Sequence, residues 1–166
     1  MMNERDFTDR LLESERMLYR IACGLLRSEA DRQNALQETA LKAWQNIGRL
    51  REEKYFRTWI TRILINECHN LNRKAGREVP AETLPEMPAP QQEDLAFRLL
   101  LESLPEKQRV PIVLHYLEGY SLKEIARVQR ISLGMVKYRM HQACIALAVE
   151  YGKPDSGQNA ERREPK

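Results

Sequence analysis

Residues 121–139, SLKEIARVQRISLGMVKYR, carry the clearest structural pattern in the C-terminal half of this chain. Ser121 and Glu124 have the spacing of a capping box, in which each side chain accepts a hydrogen bond from the other residue's backbone amide. The helix that they open is short, a turn follows at Arg130, and Ser132 is placed to cap a longer helix. This order predicts a helix-turn-helix, and an ordinary helical hairpin is the alternative.

Upstream of this motif, proline and glycine mark the limits of another helix. Pro105 stands where the first position of a helix is expected, and Gly119 is placed to end the same helix. Pro111 interrupts the helix between them, which predicts a kink or a late start. Helical signals extend over residues 94–151, and we expect the polar, charged tail at 152–166 to be disordered.

The N-terminal part, residues 1–75, has the periodicity of three amphipathic helices, at about 6–27, 29–47 and 55–74. Ser28 is placed to cap the second of them. Three such helices with short connections predict a bundle. The apolar residues that we expect on the inner faces are Phe7, Leu11, Leu18, Ile21, Ala22 and Leu25, then Leu36, Ala40 or Leu41, Ala43 and Trp44, and then Phe56, Trp59, Ile60, Ile63 and Leu64.

Between these parts, residues 76–93 differ in character from the rest of the chain. They carry four Glu and one Arg, a net charge of −3, whereas residues 1–75 carry +3 and residues 94–152 carry +2. Such basic domains are compatible with nucleic-acid binding. Prolines prevent a continuous helix, and little apolar surface is available to bury, so we expect a flexible linker. Its prolines are Pro80, Pro85, Pro88 and Pro90. The sequence therefore predicts an all-α protein of two small helical domains.

Composition argues against several classes of protein. Hydrophobic residues make up 42% of the 166 residues, but no apolar run approaches the roughly 20 residues that span a bilayer. The N-terminus has no apolar stretch of the kind found in signal peptides, so we expect a cytoplasmic protein. Three scattered cysteines without a CxxC spacing predict neither a disulfide framework nor a metal site. Without a P-loop or a catalytic constellation, we expect no enzyme activity, no cofactor and no small-molecule substrate.

Three motifs occur in register across about residues 5–150, on both sides of the linker. They are Gln37-Glu38-Thr39 with Leu41-Lys42-Ala43-Trp44, then Phe56-Arg57-Thr58-Trp59-Ile60 with Arg62-Ile63 and Asn66, and then Leu104-Pro105-Glu106-Lys107-Gln108-Arg109 with Glu118-Gly119-Tyr120-Ser121 and Glu124-Ile125-Ala126. Together they resemble the extracytoplasmic-function (ECF) sigma factors of bacterial RNA polymerase. The resemblance implies a sigma region 2 at residues 1–75, a region 4 at residues 94–151, and transcription initiation in an envelope or stress response. It also implies three partners, namely core RNA polymerase, promoter DNA and a membrane-anchored anti-sigma factor.

The resemblance assigns two tasks to region 2. Its second helix docks on core polymerase, which nominates Asn34, Gln37, Glu38 and Lys42. Its third helix and the preceding loop melt the promoter and hold a flipped minus-ten base, for which aromatic rings stack, amides bond base edges and cations contact phosphates. The residues nominated for that task are Leu50, Arg51, Tyr55, Trp59, Arg62, Asn66, His69, Asn70 and Arg73. A purely structural role in the core is the alternative for Trp59, and a solvated surface is the alternative for the arginines.

In region 4, the second helix of the helix-turn-helix is expected to enter the major groove at the minus-thirty-five element. Lys137 and Arg139 suit phosphate contacts, and Arg139 or Gln142 suits a base edge. The full nominated set is Ser132, Met135, Lys137, Tyr138, Arg139 and Gln142. The family usually has two more basic residues here, so we expect a weaker nonspecific attraction to DNA.

Two other functions fit part of the pattern. A transcription regulator would use only the helix-turn-helix and would have no need of the Gln37-Glu38-Thr39 and Phe56–Asn66 motifs. An interaction module would occupy an anti-sigma factor without initiating transcription, and weak DNA affinity beside tight anti-sigma binding would identify it.

Overall fold

The computed structural model describes residues 2–77 and 92–151, so the predicted linker, except for its ends, and the predicted tail lie outside the described residues. Within these ranges the chain is helical and has no strand, which confirms the predicted all-α class. Two short 3-10 turns, Ile47–Arg49 and Glu53–Tyr55, separate the second helix from the third. The helices are α1 (Glu4–Leu25), α2 (Glu29–Gln45), α3 (Phe56–Arg77), α4 (Gln92–Glu102), α5 (Glu106–Ile112), α6 (Leu122–Gln129) and α7 (Leu133–Tyr151).

The first domain is a bundle of α1, α2 and α3, and the inner face of α2 differs from the prediction. Leu41 and Trp44, which we expected inside, are 50% and 44% exposed, although Trp44 still contacts the ring of Phe7 with centroids 5.3 Å apart. Small residues occupy most of the contact face instead, which lets α2 approach its neighbours closely. The buried residues of α2 are Arg32, Ala35, Thr39 and Ala43.

One buried arginine fixes the connection between α1 and α2. The Arg32 guanidinium donates to the carbonyl oxygens of Leu26, at 3.1 and 3.2 Å, and of Arg27, at 3.1 Å. It also donates to the Glu29 carboxylate, which accepts a second hydrogen bond from the Tyr19 hydroxyl at 2.7 Å. That hydrogen bond to Glu29, together with burial, raises the pKa of Tyr19 to about 12, so the hydroxyl stays protonated. Arg32 thus satisfies carbonyls that the end of a helix leaves without partners.

In the second domain, an arginine likewise donates to carbonyl oxygens at the end of a helix, here α4. Arg109 donates to the carbonyl oxygens of Leu101 at 2.8 Å, Glu102 at 3.3 Å and Leu104 at 2.8 Å. Burial lowers the pKa of Arg109, but arginine remains charged at neutral pH. In each domain, an arginine from one helix therefore caps the end of the helix before it.

Pro111 lies inside α5 and is buried. The predicted late start is wrong, because α5 already begins at Glu106, and Pro105 is its N-cap rather than its first helical residue. Directly after α5 the chain forms a π-helical turn, Val113–Leu117, and Gly119, with φ of +68°, follows. Proline cannot donate the backbone hydrogen bond of an α-helix and crowds the turn before it, so Pro111 weakens α5 just before this irregularity.

The helix-turn-helix forms as the sequence predicts. Ser121 Oγ accepts from the Glu124 amide at 3.1 Å, and the Glu124 carboxylate accepts from the Ser121 amide at 2.9 Å. Ser132 Oγ accepts from the Met135 amide at 3.0 Å and so caps α7. Arg130, in the turn, has φ 55° and ψ 46°, a left-handed conformation that favours glycine.

The two domains pack directly on each other, which the sequence did not predict. At Gly24, α1 lies so near the second domain that an added β-carbon would be 2.8 Å from Val113 Cγ2. Tyr120 is fully buried, and its hydroxyl lies 2.6 Å from the Thr61 hydroxyl of α3. The Arg57 guanidinium lies 3.9 Å from the centroid of the Tyr120 ring. We refer to this arrangement of the two domains as the closed form.

None of the helices in the described ranges is long and apolar enough to cross a membrane. The three cysteines are free thiols. Cys68, on α3, is fully buried, and burial raises the pKa of its thiol to about 12.

Candidate nucleic-acid interface

α3 presents a row of polar and aromatic side chains along a cavity of about 590 Å³. These side chains lie three or four residues apart, so the helical repeat places them on one face. An aromatic ring, amides and a cation along one cavity can hold an unpaired base and its phosphate. Five of the nine residues nominated for minus-ten recognition line it, namely Trp59, Arg62, Asn66, His69 and Asn70.

Trp59 lies between the core and the cavity. Its ring packs against Phe56, with centroids 5.9 Å apart and an interplanar angle of 48°. The side chain is half-buried and lines the cavity, whereas Asn66 and Asn70 are exposed there. One part of the indole thus contributes to the core while the rest remains available to a ligand.

The other four nominated residues do not line this cavity. Leu50 is half-buried against the core, and Arg51 is exposed. Tyr55 is 41% exposed, and the Lys54 ammonium lies 5.1 Å from its ring centroid. Arg73 is exposed and donates to Asn70 Oδ1 at 3.0 Å.

Two of the α3 residues are already engaged by the second domain. Arg62 Nε donates to the carbonyl oxygen of Val128 at 3.2 Å, and a terminal nitrogen donates to that of Arg127 at 2.7 Å. These carbonyls lie at the C-terminal end of α6, where the helix dipole favours a cation. His69 Nδ1 lies 3.0 Å from Glu106 Oε1 of α5. In the closed form, Arg62 therefore has little capacity left for a phosphate.

Sequence reasoning missed the residues that join the domains. Beside the Tyr120 and Thr61 hydroxyls, Arg20 forms an ion pair with Glu118 at 2.6 Å, and Arg57 donates to the Glu118 carbonyl at 2.9 Å. The sequence around these residues contains no local pattern that predicts a contact with a distant segment. Arg130 also lines the cavity, and the sequence offered a way to single it out. It stands in the turn of the helix-turn-helix, at a left-handed position where glycine is favoured.

The nominated docking residues lie along α2. Asn34 and Gln37 are exposed, and Glu38 is partly exposed, near the exposed apolar side chain of Leu41. Lys42 differs, because its ammonium donates a short hydrogen bond to the Glu67 carboxylate of α3, which raises the pKa of Lys42. Lys42 therefore joins two helices of the first domain.

The nominated residues of the recognition helix lie in and just before the first turns of α7. Met135, Lys137 and Tyr138 are exposed, whereas Arg139 and Gln142 are half-buried. Ser132 is exposed, but its hydroxyl is used as the helix cap. Across residues 2–77 and 92–151, no group of three metal-ligating side chains is arranged to hold a metal ion.

Comparison with known proteins adds independent findings. The family model for Sigma-70 region 2 matches residues 11–78, and that for Sigma-70, region 4 matches residues 94–147. The chain is 31% identical over 152 residues to the ECF RNA polymerase sigma factor SigM of Mycobacterium tuberculosis, covering 89% of this chain and 78% of SigM. It is 29% identical over 136 residues to the ECF RNA polymerase sigma-E factor of Haemophilus influenzae, covering 70% and 72% of the two chains.

Two solved structures resemble the fold. The sigma factor RpoE in complex with the anti-sigma factor NepR, from Bartonella quintana, has a TM-score of 0.75 at 26% identity, over 90% of this chain and 99% of that one. CnrH in complex with the cytosolic domain of CnrY has a TM-score of 0.72 at 26% identity, over 90% and 89% of the two chains.

Proposed function

Because this chain belongs to the ECF sigma factors of RNA polymerase, we propose that it initiates transcription through three surfaces, one for core polymerase and two for promoter DNA. The observation that carries this proposal is the row of Trp59, Asn66 and Asn70 along one cavity of α3. Its amides and aromatic ring suit the binding of an unpaired base. We propose no enzyme activity of its own, since this chemistry binds and separates strands without breaking covalent bonds.

Promoter recognition requires the closed form to open. The minus-ten and minus-thirty-five elements are separated by roughly 25 base pairs, about 85 Å at 3.4 Å per base pair. In the closed form, by contrast, α3 is hydrogen-bonded to α6 through Arg62. The 14 residues from 78 to 91, if fully extended, would span about 50 Å, and the domains supply the remaining length. Opening would also release Arg62 for a phosphate contact.

We also propose an anti-sigma partner, anchored at a membrane. The two similar solved structures are complexes, one with the anti-sigma factor NepR and one with the cytosolic domain of CnrY. Leu41 and Trp44 provide an exposed apolar surface on α2 that such a partner can cover together with the polymerase-docking residues.

Docking on core polymerase is testable at Glu38. Glu38→Lys should weaken binding to core at least tenfold, about 1.4 kcal/mol, because it reverses a charge at the centre of the proposed contact. Lys42 is left unchanged, since replacing it would break the Lys42–Glu67 contact inside the domain. Competition for core polymerase against the parent measures the effect. Glu13→Lys, an exposed reversal on α1, is the matched control, and equal competition by the two variants would refute the docking assignment.

The two DNA-binding sites are expected to act at different steps of initiation. Arg139→Ala should weaken binding to the minus-thirty-five duplex by roughly 1–3 kcal/mol if the side chain contacts a base edge. Asn66→Ala should leave that binding nearly unchanged and reduce the yield of open complexes, because its partner is exposed only after the base flips. Filter binding on the upstream duplex and permanganate footprinting on the whole promoter separate the two steps.

A pre-melted bubble template distinguishes the base pocket from melting alone. It should not fully rescue Asn66→Ala, since the pocket itself is damaged. Gln45→Ala, at the exposed end of α2, is the control for loss of an amide. Normal promoter opening by Asn66→Ala would mean that Asn66 is only a surface residue.

A further inference from the structure

A groove runs along α3 where the second domain meets it, lined in its first part by the first domain and Arg130 and in its second part by both domains. The 590 Å³ cavity and a second cavity of about 600 Å³ share Arg62, Asn66, His69 and Arg130, and we refer to the two together as the interdomain groove. Each cavity is within the size range of small-ligand sites. The charged side chains that line the groove, other than His69, are five Lys or Arg (Lys42, Arg49, Arg62, Lys107, Arg130) and two Glu (Glu67, Glu106). Their net charge of +3 equals that of the entire chain.

Both carboxylates of the groove already have partners within the protein. Glu67 accepts from Lys42, and Glu106 contacts His69 at 3.0 Å. Lys42 is thereby paired, and Arg62 donates to the carbonyl oxygens of Arg127 and Val128. Among the described residues, no carboxylate lies within 4.0 Å of the three remaining cations. These are Arg49 and Arg130, which line the first cavity, and Lys107, which lines the second together with Arg130.

Arg130 destabilises the closed form in two respects, through its backbone conformation and through its charge. Its left-handed backbone, with φ 55°, is strained for a residue that has a β-carbon. Closure also brings its charge near Arg62, and this repulsion adds to burial in lowering the pKa of Arg62. Since these costs arise without a compensating acid among the described residues, the position has the properties of a binding residue rather than of a stabilising one.

The neutral groups of the groove indicate more than a bare ion. Gln129 lines the second cavity and adds a neutral amide side chain beside its cations. Asn66 lines both cavities, and Asn70 and Trp59 line the first. Amides and an aromatic ring beside a cluster of cations match a ligand that has both phosphates and an organic part.

We propose that the interdomain groove binds a polyphosphorylated small molecule, whose phosphates are held by Arg49, Lys107 and Arg130. Because these cations come from both domains, the ligand binds the closed form and stabilises it. Bound there, it competes with promoter DNA for Asn66 and for the face of α3. The binding itself involves neither polymerase nor promoter, so it can be tested apart from the proposed function.

The test uses the full chain with Trp44→Phe, which leaves Trp59 as the only tryptophan. Inorganic tripolyphosphate and adenosine triphosphate are titrated separately, with sodium chloride at matched ionic strength as the salt control. We expect both phosphates to change Trp59 fluorescence saturably and to raise the midpoint of thermal unfolding beyond the effect of salt. Equal affinities would assign the binding to the phosphates alone, and tighter binding of the nucleotide would add a contact to its organic part.

Arg130→Gly makes the test decisive, because its two effects have opposite signs. Without ligand, it should raise the unfolding midpoint, since glycine removes the backbone strain. It should nevertheless raise the dissociation constant for tripolyphosphate at least tenfold. Lys123→Ala, which removes an exposed cation of α6 outside the groove, should leave that constant unchanged. Unaltered tripolyphosphate binding by Arg130→Gly, or a response no larger than that to sodium chloride, would overturn the proposal.

Discussion

Arg32→Met should lower the free energy of unfolding by about 3 kcal/mol, although it removes no apolar contact. Methionine retains most of the aliphatic length of arginine but cannot donate to the carbonyls of Leu26 and Arg27, which lose these bonds at a buried site. It also removes the cation beside Glu29. A loss of this size is a large part of the 5–15 kcal/mol that typically stabilises a folded protein.

Urea denaturation followed by circular dichroism measures this loss. Arg16→Met, an exposed substitution on α1, is the control and should change the free energy of unfolding by no more than about 0.5 kcal/mol. Arg32→Lys should recover only part of the loss, since one ammonium cannot reproduce the fork of a guanidinium. If Arg32→Met were as stable as the control, the carbonyls would have found other donors, and Arg32 would not be the cap of α1.

Gly24→Ala should open the closed form and leave both domains folded. The added β-carbon would lie 2.8 Å from Val113 Cγ2, and Val113 is fully buried and has little room to move. Overpacking of this kind costs about 1–3 kcal/mol, so the population of the open form should rise roughly tenfold. Inside α1, however, alanine is the better helix former by about 1 kcal/mol, so the first domain should not be weakened.

Small-angle scattering measures this opening as an increased radius of gyration. A single-stranded minus-ten oligonucleotide should also bind more tightly, because α3 is less often covered. Val113→Ala in the same chain should restore closure by removing the atoms that clash, and Gly76→Ala, which meets nothing within 4 Å, should have no effect. Scattering unchanged by Gly24→Ala would mean that the contact of α1 with Val113 does not hold the domains together.

The sequence predicted most of the fold because helices and their ends are local features. Ser28, Ser121 and Ser132 cap helices as expected, since a cap depends only on residues two or three positions away. The inner face of α2 was predicted less well. Periodicity favours large apolar residues for the core, but the helix contact takes Ala35, Thr39 and Ala43, and Trp44 lies at its edge.

The closed form depends on residues that are far apart in the chain, which explains why it was not predicted. Tyr120 and Thr61 are 59 residues apart, and Arg62 bonds carbonyls 65 and 66 residues away. Every residue carries the same backbone carbonyl group, so no sequence pattern shows which carbonyl will be the partner of an arginine. The resemblance to a family nominated Arg62 and His69 for DNA, but it carried no information about which residues would contact them in the closed form.

The buried thiol of Cys68 makes excursions that uncover α3 measurable by thiol alkylation. A thiol with a pKa of about 12 has only about one thiolate in 100,000 at pH 7, and only the thiolate reacts with alkylating reagents. Cys68 should therefore be alkylated only during excursions that uncover α3, when its pKa returns towards the ordinary value of about 8.5. At high reagent concentration the reaction then proceeds at the frequency of these excursions. The alkylation rate of Cys68 thus reports the rate of this conformational change without an attached probe.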